Sequence, residues 1–413
     1  MRKSIHLFLL LISCGCFLAA SAQTDDFFYS ITDLQKDGNG WNALRKVDIT
    51  TGEYSTVILN GSNVNTPVFD AVTRQPYNPA PDPKYGNYAQ APFSTGVAAI
   101  AYDRKNERVW FTPMFIDQLR YVDLKTMQVF YVTGKPFTGL GNMHNDESKI
   151  ITRMVIAPDG TGYAISNDGN TFLRFSTNKK KDIEIENLGR LTDDKANGDI
   201  SIHARASSFG GDVIADDDGH LYIVSALNHV FKISIPSGTA THLGVVSNLP
   251  DNFTTNGLAV TTDGKIIASS AVSSNAWALI DPSGWKASFL TPSTGAIRSS
   301  DLANGNYLVT KKNQPSSGFL SPEAAIQTQI MIYPNPVINK KFTLDLKKLE
   351  KGDYEISLSD ISGKVVQKRQ ISIGGEGQVE KFSLKEQTAS GVYLVNVTDK
   401  DNKIIFTQKL MVQ

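Results

Sequence analysis

Residues 154–166 read Met-Val-Ile-Ala-Pro-Asp-Gly-Thr-Gly-Tyr-Ala-Ile-Ser, two apolar runs on either side of Asp159-Gly160. A two-residue Asp-Gly loop between apolar runs supplies the positive φ that a tight hairpin needs, so this stretch predicts a β-hairpin. The pattern recurs at 213–225 and 258–269, in a shortened form at 302–310 and in a diverged form at 97–112. Most of the chain is therefore expected to consist of repeated β-hairpins.

A second repeated unit alternates with the first. It is a strand-like run ending in a turn and followed by a short strand, found at 44–52, 119–127, 230–238 and 277–284, with a weak member at 172–176. Two hairpins make a four-stranded antiparallel sheet, and a period of about 40 to 60 residues without helical stretches is typical of a β-propeller. The pattern is similar to NHL-like and quinoprotein-like propellers in blade shape alone. Because no cofactor motif of those groups is present, we expect no cofactor.

The ends of the repeat array indicate how the blades are completed. The first repeat has only residues 27–31 ahead of its second hairpin, and the last has a first hairpin without a second. The N- and C-terminal pieces are therefore expected to complete one blade together, which removes sheet edges. This gives five blades, or six if residues 27–31 begin a blade of their own. The propeller is placed at residues 23–310, and the aperiodic residues 311–330 are assigned to a linker.

Residues 331–413 differ from the repeats, with six or seven short strand-like runs separated by closely spaced turn signals. This predicts a small immunoglobulin-like β-sandwich after the propeller, so the whole chain is expected to be all-β. The segment opens with Tyr333-Pro334-Asn335-Pro336. Since two prolines fix φ on either side of the asparagine, this motif predicts a turn that separates the two domains.

Four motifs of this segment occur in a characteristic order. They are Tyr-Pro-Asn-Pro at 333–336, Leu-Ser-Asp-Ile-Ser-Gly-Lys at 358–364, Ala-Ser-Gly-Val-Tyr-Leu-Val at 389–395 and Lys-Leu-Met-Val-Gln at 409–413. In these motifs residues 331–413 resemble the type A sorting domain of the type IX secretion system of Bacteroidetes-type bacteria. The resemblance assigns the sorting motif to Pro334, Asn335, Pro336, Gly363, Lys364, Gly391, Tyr393 and Lys409. An ordinary β-sandwich adhesion module is the alternative.

The resemblance implies a route for the protein. Its partner would be the type IX machinery, which takes a folded passenger across the outer membrane. The sorting domain is then usually cleaved, and the passenger is released or attached to surface lipopolysaccharide. The expected location is therefore outside the cell or on the outer-membrane surface.

The N-terminus predicts a Sec signal peptide at residues 1–22. A basic start is followed by an apolar run at 5–18 and by Ala20-Ser21-Ala22, a small-residue cleavage site that would leave Gln23 first. The run is too short to span a membrane, and we expect no transmembrane segment. The alternative is a lipoprotein signal with Cys14 as the acylated residue. Since both cysteines lie in this segment, a chain cleaved at Ala22 would contain no thiol.

The charge balance excludes one class of partner. The chain has 41 basic and 41 acidic residues, so it lacks the basic surface that nucleic acid binding requires, and we expect no nucleic acid partner. About 300 residues remain between leader and sorting segment, enough for one large repeat fold.

Candidate site residues lie in the longer loops. In a four-stranded blade the hairpin turns occupy one face of the ring, and the longer connections, which usually carry binding residues, occupy the other. The candidate ligand-binding residues in or near these loops are Trp41, Tyr77, Tyr85, Tyr88, Phe115, His144, His203, Arg205 and His229. The proline- and tyrosine-rich segment 61–94 is predicted to be an ordered lid over the ring mouth.

Three interpretations of these residues stay open. The aromatics suit a groove for a glycan or peptide; the histidines, with Asp146 and Glu147, suit a divalent metal site; or all are solvated loop residues packed on one another. Calcium at 216–218 or 193–194 is a further alternative, although the glutamate of an EF-hand loop is missing.

The catalytic residues, if any, are unknown. Nucleophile-elbow, P-loop and dinucleotide motifs are missing from the sequence, so we favour a ligand-binding or scaffold protein with an unidentified glycan, peptide or protein ligand. The alternative is an extracellular hydrolase or lyase acting on glycans or peptides at the propeller mouth, with carboxylates from separate blades.

Overall fold

The computed structural model describes residues 24–142, 146–178, 182–309, 330–346, 349, 351–360, 364–374, 378–385, 387–400 and 404–412. The chain divides into two compact units, residues 1–312 and 313–413. Several predictions fall outside the described residues: the signal peptide with Cys14, the linker except Ile330, His144 and Gly363. The side chains of Pro334, Asn335, Pro336 and Lys409 are likewise not described.

The first unit is built from short strands. They are β1 (Phe27–Thr32), β2 (Ala43–Asp48), β3 (Leu59–Asn60), β4 (Val68–Asp70), β5 (Pro76–Tyr77), β6 (Val97–Asp103), β7 (Arg108–Pro113), β8 (Arg120–Asp123), β9 (Gln128–Tyr131), β10 (Ile151–Ile156), β11 (Gly162–Ser166), β12 (Phe172–Phe175), β13 (Ile185–Gly189), β14 (Thr192–Asp193), β15 (Asp212–Ala215), β16 (His220–Val224), β17 (His229–Ser234), β18 (Thr239–Val245), β19 (Gly257–Val260), β20 (Ile266–Ser269), β21 (Trp277–Asp281), β22 (Lys286–Leu290) and β23 (Asp301–Ala303). Two 3₁₀ turns, η1 (Asn87–Gln90) and η2 (Lys195–Asn197), are the helical elements of the described residues.

These strands form five sheets, which we number as blades 1 to 5. Blade 1 has the order β23-β1-β2-β3, blade 3 is β10 to β13, and blade 5 is β19 to β22. Blade 2 is β6 to β9 extended by β4 and β5, and blade 4 is β15 to β18 extended by β14. The unit is therefore a five-bladed β-propeller, which decides between the two predicted blade counts.

Blade 1 joins the two ends of the unit. Strand β1 pairs with β2 on one side and with β23 on the other, with Ser30 opposite Leu302. The prediction that N- and C-terminal pieces complete one blade is thus confirmed. The predicted shortened hairpin at 302–310 is wrong, because Leu308 forms a parallel bridge with Asp216 of blade 4. The inner strands contact one another in the order β6, β10, β15, β19, β23 and back to β6.

The Asp-Gly turns show why the sequence forms hairpins. Gly160, Gly219 and Gly264 have φ of 84°, 82° and 80°, whereas the preceding aspartates keep negative φ. In the first of these turns the Gly160 amide donates to Ala157 O and the Ala157 amide to Thr161 O. This is a type I turn followed by a left-handed glycine, not the two-residue loop that was predicted, because only the glycine takes positive φ.

Buried aromatics fill the spaces between blades. Trp110 of blade 2 lies 5.4 Å, between ring centroids, from Phe175 of blade 3. Trp277 of blade 5 lies 5.4 Å from Phe28 of blade 1 and donates its indole N–H to Gly52 O at 3.0 Å. Removing each such side chain from water contributes roughly 2–3 kcal/mol, so packing between blades stabilises the ring as well as the sheets.

The second unit has the strands β24 (Met331–Ile338), β25 (Lys341–Asp345), β26 (Gly352–Asp360), β27 (Val365–Ile373), β28 (Val379–Ser383), β29 (Gly391–Thr398) and β30 (Ile404–Val412). Their pairing order is β27-β26-β29-β30-β24-β25-β28, around a core that includes Ile330, Val337 and Val395. The turn predicted at residues 333–336 is wrong, since they lie inside β24. The register with β25 shifts there, since β24 pairs with β25 up to Tyr333 and again at Ile338, as expected where prolines interrupt a hydrogen-bond ladder. Val337 pairs in parallel with Val412 of β30.

Within the described residues, no helix is both apolar enough and long enough to traverse a lipid bilayer.

Candidate functional site

The longer connections lie on the face opposite the hairpin turns, as predicted. They include the loop between β1 and β2, the segment between β3 and β6, and the connection from β13 to β15. The sequence analysis missed two further connections on this face, 246–256 and 291–300. Neither contains an aromatic cluster or a charged pair that would have marked it.

A groove that contains a predicted site residue is formed by the segment between β3 and β6. It has a volume of about 270 Å³ and is lined by Val64, Thr66, Pro67, Val68, Phe69, Pro76, Tyr77, Asn78, Pro79 and Gln90. We call it the Tyr77 groove. Strand β4 pairs in parallel with β9, the outer strand of blade 2, with Val68 opposite Val129. Strands β4 and β5 thus lie at the outer edge of the blade, and a lid over the ring mouth is the wrong description of them.

Local hydrogen bonds fix the turn between β4 and β5. Asp70 Oδ1 accepts the amides of Val72 (2.9 Å) and Thr73 (2.5 Å), and Asp70 Oδ2 accepts the hydroxyl of Thr133. Burial alone would raise the pKa of Asp70, but these hydrogen bonds to the carboxylate lower it below its ordinary value. The aspartate is therefore an ionised structural cap of the turn that supports the groove.

The side chains at the groove have fixed positions. The ring of Tyr77 lies edge-on to Tyr131, with centroids 6.0 Å apart. The side-chain amide of Gln90 donates to Pro79 O at 2.6 Å, which holds these two lining residues together. An aromatic face beside amide and carbonyl groups can stack on an apolar ligand surface and orient its polar groups.

Arg120, which is fully buried on β8, anchors the last part of the segment. Its guanidinium donates to Ala91 O and Pro92 O at 2.8 Å each and to Ala89 O at 3.3 Å. It also lies 3.9 Å from the ring centre of Tyr131, whose hydroxyl donates to Gln90 O. Since a buried charge is tolerated only when it is hydrogen-bonded, these contacts hold the segment to blade 2.

The other predicted aromatics have separate environments. Trp41 is half-buried against the core between blades 1 and 2, and Phe115 lines a smaller cavity of about 20 Å³. Tyr88 is 39% exposed, and burial together with the charge of Asp33 raises its pKa. Tyr85 lies under the ammonium of Lys84. Of the five aromatic candidates, only Tyr77 lines the Tyr77 groove.

The histidine candidates also have different partners. His203 contacts backbone carbonyls through both ring nitrogens, Asp168 O at 2.7 Å and Leu191 O at 3.1 Å. Arg205 forms an exposed ion pair with Glu147 at 3.3 Å. His229 contacts His242, a residue that the sequence analysis did not select, with 3.1 Å between Nδ1 and Nε2.

The acidic runs are internally bonded. Asp216 accepts the amides of Asp218 and His220 and the hydroxyl of Tyr222. Asp194 caps η2 through the amide of Ala196. Among the described residues, no three His, Cys, Asp or Glu side chains group as metal ligands.

A buried charged cluster at the inner strands was missed as well. Asp212 and Asp301 begin β15 and β23, both are fully buried, and each carboxyl group perturbs the pKa of the other. Burial raises the pKa of Asp212 to about 7, and burial plus the charge of Asp212 raises that of Asp301 well above its usual range. The charge of Arg153, which is also fully buried, partly offsets this rise in the pKa of Asp212. One sequence gives no signal for such a pair, because its members are distant in the chain.

Comparison with known proteins identifies the second unit. Residues 331–413 match the family model of the secretion system C-terminal sorting domain. This tail is a type IX sorting domain. The match confirms the resemblance seen in the four motifs, and it implies export of the chain by the type IX system. A search of curated proteins finds no match.

Solved structures are similar to the chain at low identity. PorZ, described as an essential bacterial surface component of the type IX secretion system of Porphyromonas gingivalis, is 16% identical, with 93% of this chain and 51% of PorZ covered and a TM-score of 0.36. A Bacteroides thetaiotaomicron protein of unknown function is 13% identical, with 69% and 66% covered and a TM-score of 0.40. Virginiamycin B lyase of Staphylococcus aureus is 13% identical, with 77% and 85% covered and a TM-score of 0.31.

These similarities are distant. The chain spans about half the length of PorZ and two thirds of the Bacteroides protein. TM-scores of this size carry no argument about function, so the activity of none of these proteins is transferred to this chain.

Proposed function

We propose that the protein is an extracellular or surface-displayed binding protein that takes a glycan or peptide chain in the Tyr77 groove. The observation that carries this proposal is the composition of the groove. Its ten lining residues are aliphatic, aromatic, proline, hydroxyl and amide residues, without a carboxylate or histidine. Such a surface stacks and hydrogen-bonds a ligand, whereas hydrolysis requires positioned acid and base groups.

The alternative, a hydrolase or lyase, is less well supported. The carboxyl pair with strongly raised pKa values, Asp212 and Asp301, would be the natural acid and base. Both side chains have 0% exposure, so a substrate cannot touch them. We therefore interpret this pair as a structural feature of the ring.

The proposed route to the surface has three parts. A Sec signal peptide at residues 1–22 would be removed, the propeller at 23–310 would fold, and the sorting domain at 331–413 would engage the type IX machinery. N-terminal sequencing of the secreted product tests the first part, because a chain that begins elsewhere than Gln23 contradicts it.

Binding in the Tyr77 groove is tested with the secreted protein on arrays of bacterial and host glycans and of proline-containing peptides. Tyr77→Ala should weaken binding of any hit about tenfold, since an aromatic stacking contact is worth roughly 1–2 kcal/mol with its buried area. Tyr88→Ala is the matched control, because Tyr88 is exposed but lies outside the groove. Equal losses in both variants, or full affinity in Tyr77→Ala, would refute the assignment.

A further inference from the structure

Two histidines of blade 4 face each other across a hairpin. His229 lies on β17 and His242 on β18, and His229 Nδ1 is 3.1 Å from His242 Nε2. The register shifts between Val230 and Phe231, so that Leu243 is left unpaired as a bulge. The bulge rotates β18 locally, which places His242 beside Phe231 and diagonal to His229 on one side of the sheet.

The 3.1 Å separation fits two ligands of one metal ion. Imidazole nitrogens bind zinc at about 2.0–2.1 Å, so two of them at an angle between 90° and tetrahedral lie about 2.9–3.3 Å apart. A hydrogen bond between the rings has the same separation, and in that state one nitrogen carries a proton that the metal would replace. The two ring nitrogens are therefore already at the separation that one ion requires.

The surroundings hold both histidines in place. The His242 amide donates to Asn197 Oδ1 at 2.7 Å, and Asn197 in turn donates to Ala240 O at 2.9 Å. The His229 amide donates to Ser225 Oγ at 3.1 Å. On the apolar side the ring of Phe231 lies 5.2 Å from that of His242. The two hydrogen bonds of the backbone amides fix the positions from which the two rings project.

Solvent access also favours a ligand role. Both rings are only half-buried, so an ion from solution can reach them.

We propose that His229 and His242 form a binding site for one first-row transition-metal ion of the zinc, nickel or copper class. Two imidazoles suit these ions and not calcium or magnesium, which require oxygen ligands. The remaining coordination positions are taken by water, because the described residues offer no third His, Cys, Asp or Glu to the group. The site is thus exchangeable, and it cross-links β17 and β18 when occupied.

The proposal is tested on the chelator-treated full chain by thermal unfolding with increasing ZnCl₂, with CaCl₂ and MgCl₂ as comparison salts. An ion that binds the native state raises the melting temperature as its concentration rises. Zinc should produce this rise and calcium and magnesium should not. His229→Gln and His242→Gln should each abolish it, whereas His220→Gln, whose ring contacts Asp216 on the hairpin-turn face, should retain it.

Equilibrium dialysis with Co²⁺ provides the second measurement. It should give one ion per chain in the wild-type protein and in His220→Gln, and none in the variants of the pair. A stoichiometry unchanged in both variants of the pair would overturn the proposal, and so would the absence of binding by the wild-type chain at millimolar metal. If one variant fails to fold, the other decides.

Discussion

Replacing Asp301 with asparagine should flatten the dependence of stability on pH between pH 5 and 8. Asp301 and Asp212 interact in a fully buried site, where Asp212 accepts the amides of Leu258 (2.7 Å) and Val213 (2.6 Å). Two buried carboxylates so close together cannot both ionise at low cost, so the native pair keeps at least one proton at pH values where the unfolded chain has lost both.

The sign and size follow from the raised pKa. The pKa of Asp212 is about 7 in the folded state against 3.8 as its ordinary value, so the folded chain binds more protons between these two pH values. Stability is then highest below the unfolded pKa and is lost as pH rises toward the folded pKa, by about 1.4 kcal/mol per pH unit for one proton. From pH 5 to pH 7 the wild-type protein should lose about 3 kcal/mol from Asp212 alone, and Asp301, whose pKa is also raised, adds to this loss.

The assay is urea denaturation of wild type and Asp301→Asn at pH 5, 6, 7 and 8. The difference between the two proteins isolates the pair from other titrating groups. Asp301→Asn leaves Asp212, whose pKa burial still raises, so the variant should keep the loss from Asp212 and lack the additional loss from Asp301. Asp281→Asn, at the exposed end of β21, is the control and should follow the wild type. Parallel pH profiles for wild type and Asp301→Asn would refute the shared-proton description.

Two further predictions concern packing. Arg120→Met should expose residues 78–94 to protease in the folded protein and lower the free energy of unfolding by about 3–5 kcal/mol, because three carbonyls lose a charged donor. Arg174→Met, at an exposed position, serves as the control. Equal cleavage of both variants would contradict the anchor role of Arg120. Gly257→Ala should destabilise by more than about 2 kcal/mol, since a Cβ there would lie 2.4 Å from Leu302 N. Gly284→Ala, with no atom within 4 Å of the added Cβ, is the control and should have the melting temperature of the wild type. If Gly257→Ala also had the wild-type melting temperature, the strands would have moved apart to accept the Cβ and the prediction would be wrong.

The repeats could be predicted because their signal is local. Each Asp-Gly turn lies between the two strands that it connects, so one stretch such as 154–166 specifies its own hairpin. The extension of blade 2 could not be predicted, because residues 68–70 pair in parallel with residues 129–131 across a long separation in sequence. Parallel pairing leaves no turn signature, and the segment was assigned to a lid for that reason.

The same distinction applies to the sites. Tyr77 was selected for its residue type, and it does line a groove. His229 was selected without His242, because the contact between them depends on a bulge at Leu243 that strand alternation does not reveal. The pair of Asp212 and Asp301 comes from the meeting of two blades and has no local pattern at all.

The pairing of β1 with β23 sets an order of assembly. During synthesis and export the chain emerges from its N-terminus, so residues 27–32 are present long before residues 301–303 that pair with them. Until then the inner edge of the first blade has free amides and carbonyls, which can pair with a strand of another chain. The sorting tail follows residue 303, so the signal that commits the protein to export is completed only after the last strand of the ring is available. The order of these segments in the chain therefore allows β23 to pair with the free edge of β1 before the sorting tail is complete.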